Sequence, residues 1–297
     1  MLNGGLPMNQ IPDRITSALK KMQKGEITEY RVYMNIAKHI KDPGNKEILI
    51  KIANQEKAHY DIWTKHLGAP ATPNRARVGW YTFLARTLGY TFALKMMEKG
   101  EGRAKVSYGE IAEFIPDAAR VAQEEDAHEN DLINMLDEER LNYVGSMVLG
   151  LNDALVELTG ALAGLTLALA SQPKLISLSG LVTGIAASFS MAASEYLSAK
   201  ADNHPNALKS ALYTGIAYIC TVAVLITPYL LLDPFIALAV MLGSAVAIIF
   251  AFNFYISVAK DYNFKQRFFQ MAAISLGVAA FSFFIGYLVK TILGIDA

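Results

Sequence analysis

Apolar and polar residues are arranged in two different ways along this 297-residue chain. Up to about residue 140, apolar positions recur at helical spacing with charged residues between them. Ile15, Leu19, Met22, Tyr30, Tyr33, Ala37 and Ile40 fall on one stripe, Leu49, Ile52 and Trp63 on a second, Leu94, Met97, Tyr108, Ile111 and Ile115 on a third, and Val121, Leu132 and Met135 on a fourth. One-sided spacing of this kind predicts four amphipathic helices that bury their stripes against one another. Asp42-Pro43-Gly44-Asn45 reads as the first turn, residues 68–74 with Pro70 and Pro73 as the crossover linker, and Pro116 as the start of the fourth helix.

Beyond Tyr143 the pattern changes to long apolar stretches at 144–170, 175–194, 210–232, 234–259 and 268–289, the last four without a single Asp, Glu, Lys or Arg. Each reaches the roughly 20 residues that a helix needs to cross about 30 Å of hydrocarbon. The reading is therefore all-α, with a helical domain over 1–140 and a five-helix transmembrane domain over 141–297. Neither Pro nor Gly occurs between Pro116 and Gly145, so the fourth helix is expected to run directly into the first span.

Charge sharpens the division. Of 27 basic and 27 acidic residues, seven of each lie beyond Asn142, which leaves 20 and 20 before it. The neutral total averages a charge-rich soluble half and a charge-poor membrane half, and gives no reason to expect a nucleic-acid partner. Cys220 is the single cysteine, and it falls in a span, so disulfides and thiolate metal clusters within one chain are excluded. The N-terminal stretch around Pro7 and Pro12 has no apolar core of a secretory signal, and the first domain is expected in the cytosol. Five spans then place 198–209 and 260–267 inside, and those loops hold Lys200, Lys209, Lys260, Lys265 and Arg267, in keeping with a positive inner face.

The chemistry lies where charged residues interrupt the apolar pattern. Glu26-x6-Tyr33 followed by Glu56-x-x-His59 recurs as Glu101-x6-Tyr108 followed by Glu125-x-x-His128, and the flanking Ile36-Ala37-x-x-Ile40 recurs as Ile111-Ala112-x-x-Ile115. Two copies of one helical hairpin stand in tandem. Glu26, Glu56, His59, Glu101, Glu125 and His128 all fall on apolar stripes, where ionisable groups are costly unless paired, protonated or bound to metal. Carboxylates with imidazoles suit a pair of iron or manganese ions, and this ligand set is that of a di-metal four-helix bundle. Glu29 and Glu98 each lie one turn from a proposed ligand and are further candidates; His39, His66 and His204 are expected at the surface.

In the membrane half, Asn152 and Asp153 enter the first span, Glu157 follows one turn later, and the second span ends in Ser190-Met191-Ala192-Ala193-Ser194-Glu195-Tyr196. Ionisable groups within membrane helices mark ion or proton paths by default. Asp153, Glu157 and Glu195 supply hard oxygens and Met191 a soft thioether, a mixture suited to Fe(II) and other divalent transition metals. Gly160 with Gly164, and Gly180 with Gly184, are placed to let helices approach closely.

The doubled Glu and His motif resembles the di-iron signature of the ferritin and rubrerythrin superfamily, over about residues 11–140. The rubredoxin-type module of many rubrerythrins is missing. Leu151-Asn152-Asp153-Ala154-Leu155 and Ser190-Met191-Ala192-Ala193-Ser194-Glu195-Tyr196 resemble the motifs of the vacuolar iron transporter family over about 141–297, with Ala154 in place of the family's usual glycine. Family members with a metal-binding helical insertion carry it between spans two and three, where this chain has only a short loop. The combination is similar to the membrane-bound ferritin, or rubrerythrin–iron transporter fusion, proteins of prokaryotes. That resemblance implies a ferritin-like bundle holding two iron ions, with manganese as the alternative metal, fused to a transporter of the cell (inner) membrane. It further implies export of cytosolic Fe2+ in exchange for protons, and a homodimer with the path between subunits. A manganese exporter and a membrane-anchored di-iron oxidase or peroxidase stay open as other readings.

Overall fold

In the computed structural model, residues 12–101, 108–125 and 136–293 are described, and every regular element among them is helical. The chain divides into two compact units, Met1–Glu138 and Glu139–Ala297.

In the first unit, α1 (Asp13–Ala37) and α2 (Pro43–Leu67) pack as a hairpin. What reads as a turn at 42–45 is the start of α2. The Asp42 carboxylate accepts from the Asn45 amide at 2.7 Å and Pro43 takes the first helical position, where its missing N–H costs nothing. Gly68, at φ 65°, closes the same helix in the left-handed conformation that glycine adopts without strain. Gln23 donates to Thr64 Oγ1 and to the Ala69 carbonyl, both at 2.8 Å, which ties the middle of α1 to the end of α2.

Next comes a helix that the apolar periodicity did not reveal, α3 (Arg75–Thr87), capped by the Asn74 side chain on the Ala76 and Arg77 amides. Its inner face, with Leu84 buried and Val78, Tyr81 and Ala85 half-buried, packs on the core around Val32, Ile52 and Leu94. Its outer face carries Trp80 and Phe83, so no clean polar stripe marks it as amphipathic. Gly89, at φ 109°, turns the chain into α4 (Tyr90–Glu101). Then follow α5 (Tyr108–Ala112) and α6 (Asp117–Glu124). Ile115, expected on the third helix, lies beyond its end, buried with Trp63, Ile111 and Val121.

The expected run of the fourth helix into the first span is overturned, because residues 136–138 are not helical. Side chains of two helices capture their backbone. Asn45 accepts from the Asp137 amide at 2.9 Å and donates to the Asp137 carbonyl at 2.8 Å, Tyr90 donates to that carbonyl at 3.1 Å, and Glu138 accepts from the Thr91 amide at 3.0 Å. The three bonds to the Asp137 backbone take the place of helical ladder bonds, and the fourth fixes the Glu138 side chain.

The second unit starts with the single turn α7 (Glu139–Asn142) and continues as α8 (Val144–Ala168), α9 (Pro173–Ala201), α10 (Ala207–Leu231), α11 (Pro234–Ala259) and α12 (Phe264–Leu293). The last five are long and apolar enough to cross a membrane. α8 packs against all four other spans and is the most buried of them. Close approach explains why. A Cβ at Gly164 would meet the Ser282 carbonyl oxygen at 3.0 Å, one at Gly180 would meet Leu162 at 2.7 Å, and one at Gly150 would run into the Thr214 carbonyl oxygen. The outward faces carry Phe189, Leu231, Phe269 and Ile292, all exposed as lipid-facing positions should be.

Candidate functional site

α1 and α2 bring three of the expected metal ligands together. One ligand atom each from Glu26, Glu56 and His59 lies within 4.8 Å of the others, and all three residues are buried. Glu26 is 4%, Glu56 3% and His59 4% exposed. Glu56 and His59 share a face because three residues nearly complete one helical turn, and the hairpin sets Glu26 opposite them. Glu125 contributes a carboxylate oxygen 3.9 Å from His59 Nδ1, and Tyr108 donates to that oxygen at 2.7 Å. Burial first, then the charges of Glu125 and Glu26, push the Tyr108 hydroxyl far above its usual range, so it acts as a donor. Glu29 is buried on α1, and Glu98 accepts from Tyr33 at 3.0 Å. The Glu101 side chain and His128 lie outside the described residues.

Two further residues complete the cluster. Trp63, one turn beyond His59, donates its indole N–H to Glu26 Oε1 at 3.0 Å. Glu124, beside the expected Glu125, lies 3.1 Å from His59 Nε2. A carboxylate there holds the Nε2–H tautomer and points the bare Nδ1 at Glu26, the arrangement in which histidine binds metal. Glu26 Oε2 and His59 Nδ1 are buried 3.6 Å apart and have no hydrogen-bond partner among the described residues. Buried polar atoms left without a partner are costly, and a cation between them would satisfy both. Burial lowers the His59 pKa, but the nearby carboxylates of Glu26, Glu124 and Glu125 outweigh it and raise it to about 9, so a proton competes with a cation for Nδ1. The donor set thus fits a hard or borderline divalent metal.

In the second unit, Asp153, Glu157, Ser190 and Met191 line one open groove of about 530 Å³ between α8 and α9, with Val182, Thr183, Ala186 and Ala187 completing its wall. Asp153 and Glu157 are one turn apart on the central span, which fixes their common face. Tyr218, wholly buried on α10, donates to Glu157 Oε2 at 2.5 Å and so aims it. Asn152 is half-buried next to Asp153. Glu195 is not a groove residue: it lies one turn beyond Met191 and accepts from Ser146 at 2.7 Å. The Ser146 carbonyl in turn accepts from Thr214 at 2.9 Å, so Glu195, Ser146 and Thr214 link α9, α8 and α10. Neither Tyr218 nor Ser146 carries a signal within its own segment. Each matters through the helix opposite it.

Comparison with curated proteins and with solved structures gave no match. Residues 144–206, which hold Asp153, Glu157, Ser190, Met191 and Glu195, match the model of the VIT family, and this match with the five long apolar helices supports a multi-pass membrane protein.

Proposed function

We propose that this chain is a divalent-metal exporter of the membrane in which its spans lie, with Fe(II) as the principal cargo and protons as the counter-ion. The observation that carries the reading is the groove in which Asp153, Glu157 and Met191 meet on the segment matched by the VIT family. Carboxylates facing hydrocarbon are expensive, and a groove open on one side calls for cover. A second copy set against α9 would supply it, and we take the working form to be a homodimer. Asp153 and Glu157 bind the cation, the Met191 thioether favours a transition metal over calcium or magnesium, and Tyr218 orients Glu157. Release of the cation leaves carboxylates that accept protons, which couples the two flows. Glu195, through Ser146, controls the approach along α9.

The first unit holds metal on the cytosolic side through Glu26, Glu56, His59, Glu101, Glu125 and His128, with Glu29 and Glu98 beside them. Two ions bound there would supply Lewis-acid and one-electron chemistry. The residues of this chain fix the ligand tautomer at His59 and keep Glu26 in place from Trp63. The buried triad favours a second reading in which the first unit oxidises metal, with dioxygen or a peroxide accepting the electrons, and the spans only anchor it. Metal flux in proteoliposomes decides between them. Export predicts that Asp153→Ala and Met191→Leu abolish or severely weaken Fe(II) flux while metal binding by the first unit is unchanged. Normal flux in both variants would reduce the spans to an anchor. Competition by Mn(II) in the same assay tests the choice of cargo.

A further inference from the structure

The outer face of α3 is not explained by the core or by either metal site. Trp80 and Phe83, 52% and 55% exposed, stack with ring centroids 6.1 Å apart, and exposed Ala76, Gly79 and Leu88 extend the strip. Two exposed stacked aromatics on one helix face are a surface made for a partner. The charge around them indicates which. From Ile62 to Met97 the chain has no acidic residue, yet it has Lys65, Arg75, Arg77, Arg86 and Lys95. Arg75 and Arg86 are exposed near the two ends of the strip, and Arg86 contacts His39, which adds the end of α1 with Lys38 to the same basic region. Tryptophan and phenylalanine flanked by arginines suit the boundary between headgroups and acyl chains of an anionic bilayer. Only residues 139–143 link the first unit to the first span, so a bilayer is within the reach of the chain itself.

We propose that α3 is a lipid-docking helix, which seats Trp80 and Phe83 in the acyl boundary while Arg75 and Arg86 engage anionic headgroups. An acidic protein would match the same charge; what favours lipid is that only residues 139–143 link the first unit to a membrane span. The inference is independent of what either metal site does.

Full-length protein reconstituted in nanodiscs tests it. The discs contain either phosphatidylcholine alone or phosphatidylcholine with phosphatidylglycerol, with or without lipid brominated near the headgroup end of its acyl chains. Trp80 emission is read as the difference between the native chain and Trp80→Phe, since Trp63 is common to both. In anionic discs the Trp80 component should be blue-shifted and quenched by brominated lipid, and high salt should weaken the quenching. Each arginine near an anionic surface is worth about a fivefold change in the docking equilibrium, so Arg75→Gln with Arg86→Gln should weaken it about 25-fold. Unchanged circular dichroism shows that the exposed substitutions leave the fold intact. A red, unquenched Trp80 overturns the proposal by showing a face open to water. A blue-shifted Trp80 that brominated lipid does not quench also overturns it, because protein, such as a second copy, then covers the strip. Quenching equal in neutral and anionic discs removes the role of the arginines and overturns it as stated.

Discussion

Trp63→Phe tests the metal site proposed for the first unit through a residue that is not itself a proposed ligand. Trp63 is wholly buried, and its indole N–H is the donor to Glu26 Oε1 at 3.0 Å. Phenylalanine keeps the aromatic ring against Tyr108, whose centroid lies 6.5 Å away, but cannot donate. A hydrogen bond to a charged acceptor contributes about 1.5–3 kcal/mol, and the smaller ring leaves a gap costing on the order of 1 kcal/mol. The sum, about 2.5–4 kcal/mol, lowers the melting temperature of a unit this size on the order of 10 °C. Metal affinity should fall about 10- to 100-fold, as is usual when a group that orients a ligand is lost. Anaerobic titration of the metal-free full-length chain with Fe(II) or Co(II) reads the affinity. Thermal unfolding followed with and without metal identifies the first unit's transition as the one that metal shifts. Trp80→Phe, at an exposed position, should change neither quantity. A Trp63→Phe protein that binds metal and melts like the native chain would refute the orienting role of the indole and the assignment of Glu26 as a ligand held by it.

Proton competition at His59 gives a second test: a metal at Nδ1 must displace a proton whose pKa is raised to about 9, so apparent affinity should rise with pH up to about 9, by up to tenfold per unit, and a flat profile from pH 6 to 8 would exclude His59 as a ligand. In the metal-free protein the sign is opposite. A histidine raised from 6.5 to about 9 contributes stability that is fully present below pH 6.5 and lost as pH rises through about 9, which melting curves at pH 6 and pH 10 would show. In the membrane unit, Gly286→Ala places a Cβ on the Gly164 carbonyl oxygen and 3.1 Å from that residue's Cα, and backbone cannot swing aside as a side chain can. It should destabilise the packing of α8 on α12 by at least about 1–3 kcal/mol, seen as a lower melting temperature in detergent, whereas Gly277→Ala, with nothing within 4 Å, should be neutral.

How far the chain could be read depended on whether a residue's role lies within its own helix. The spans were legible because hydrocarbon demands about 20 apolar residues whatever the neighbours are, and α8 to α12 begin and end close to the apolar stretches, with α9 and α12 extending past them into polar residues. Glu56 with His59, and Asp153 with Glu157, were legible as pairs for a similar reason: spacing alone puts each pair on one face. The groove that joins Met191 to Asp153 and Glu157 depends on how α8 and α9 cross, yet the apolar setting of all three already singled them out.

The misses share one cause, which is that the deciding contact comes from another element. Glu124 is the expected ligand's neighbour in sequence, and only the approach of α6 to α2 selects it for His59 Nε2. Tyr218 looks like any aromatic in an apolar span until its hydroxyl is found on Glu157. α3 lacks a polar stripe because its inner face serves the core and its outer face carries Trp80 and Phe83, so a one-sided test of amphipathicity passes over it. The break at 136–138 has no Pro or Gly to announce it, since Asn45 and Tyr90 make it by offering the Asp137 backbone other partners, while the Thr91 amide holds the Glu138 side chain. In each case the residue that sequence alone passed over is a hydrogen-bonding or aromatic side chain in an ordinary-looking segment. In both units these residues hold or surround the ones that the pattern had marked, as Trp63 does for Glu26 and Tyr218 for Glu157. The faces that carry the proposed ligands follow from helical spacing, but the geometry that would make them bind metal is set by partners from elsewhere in the fold, and that is why a substitution at Trp63 tests the first site without touching a proposed ligand.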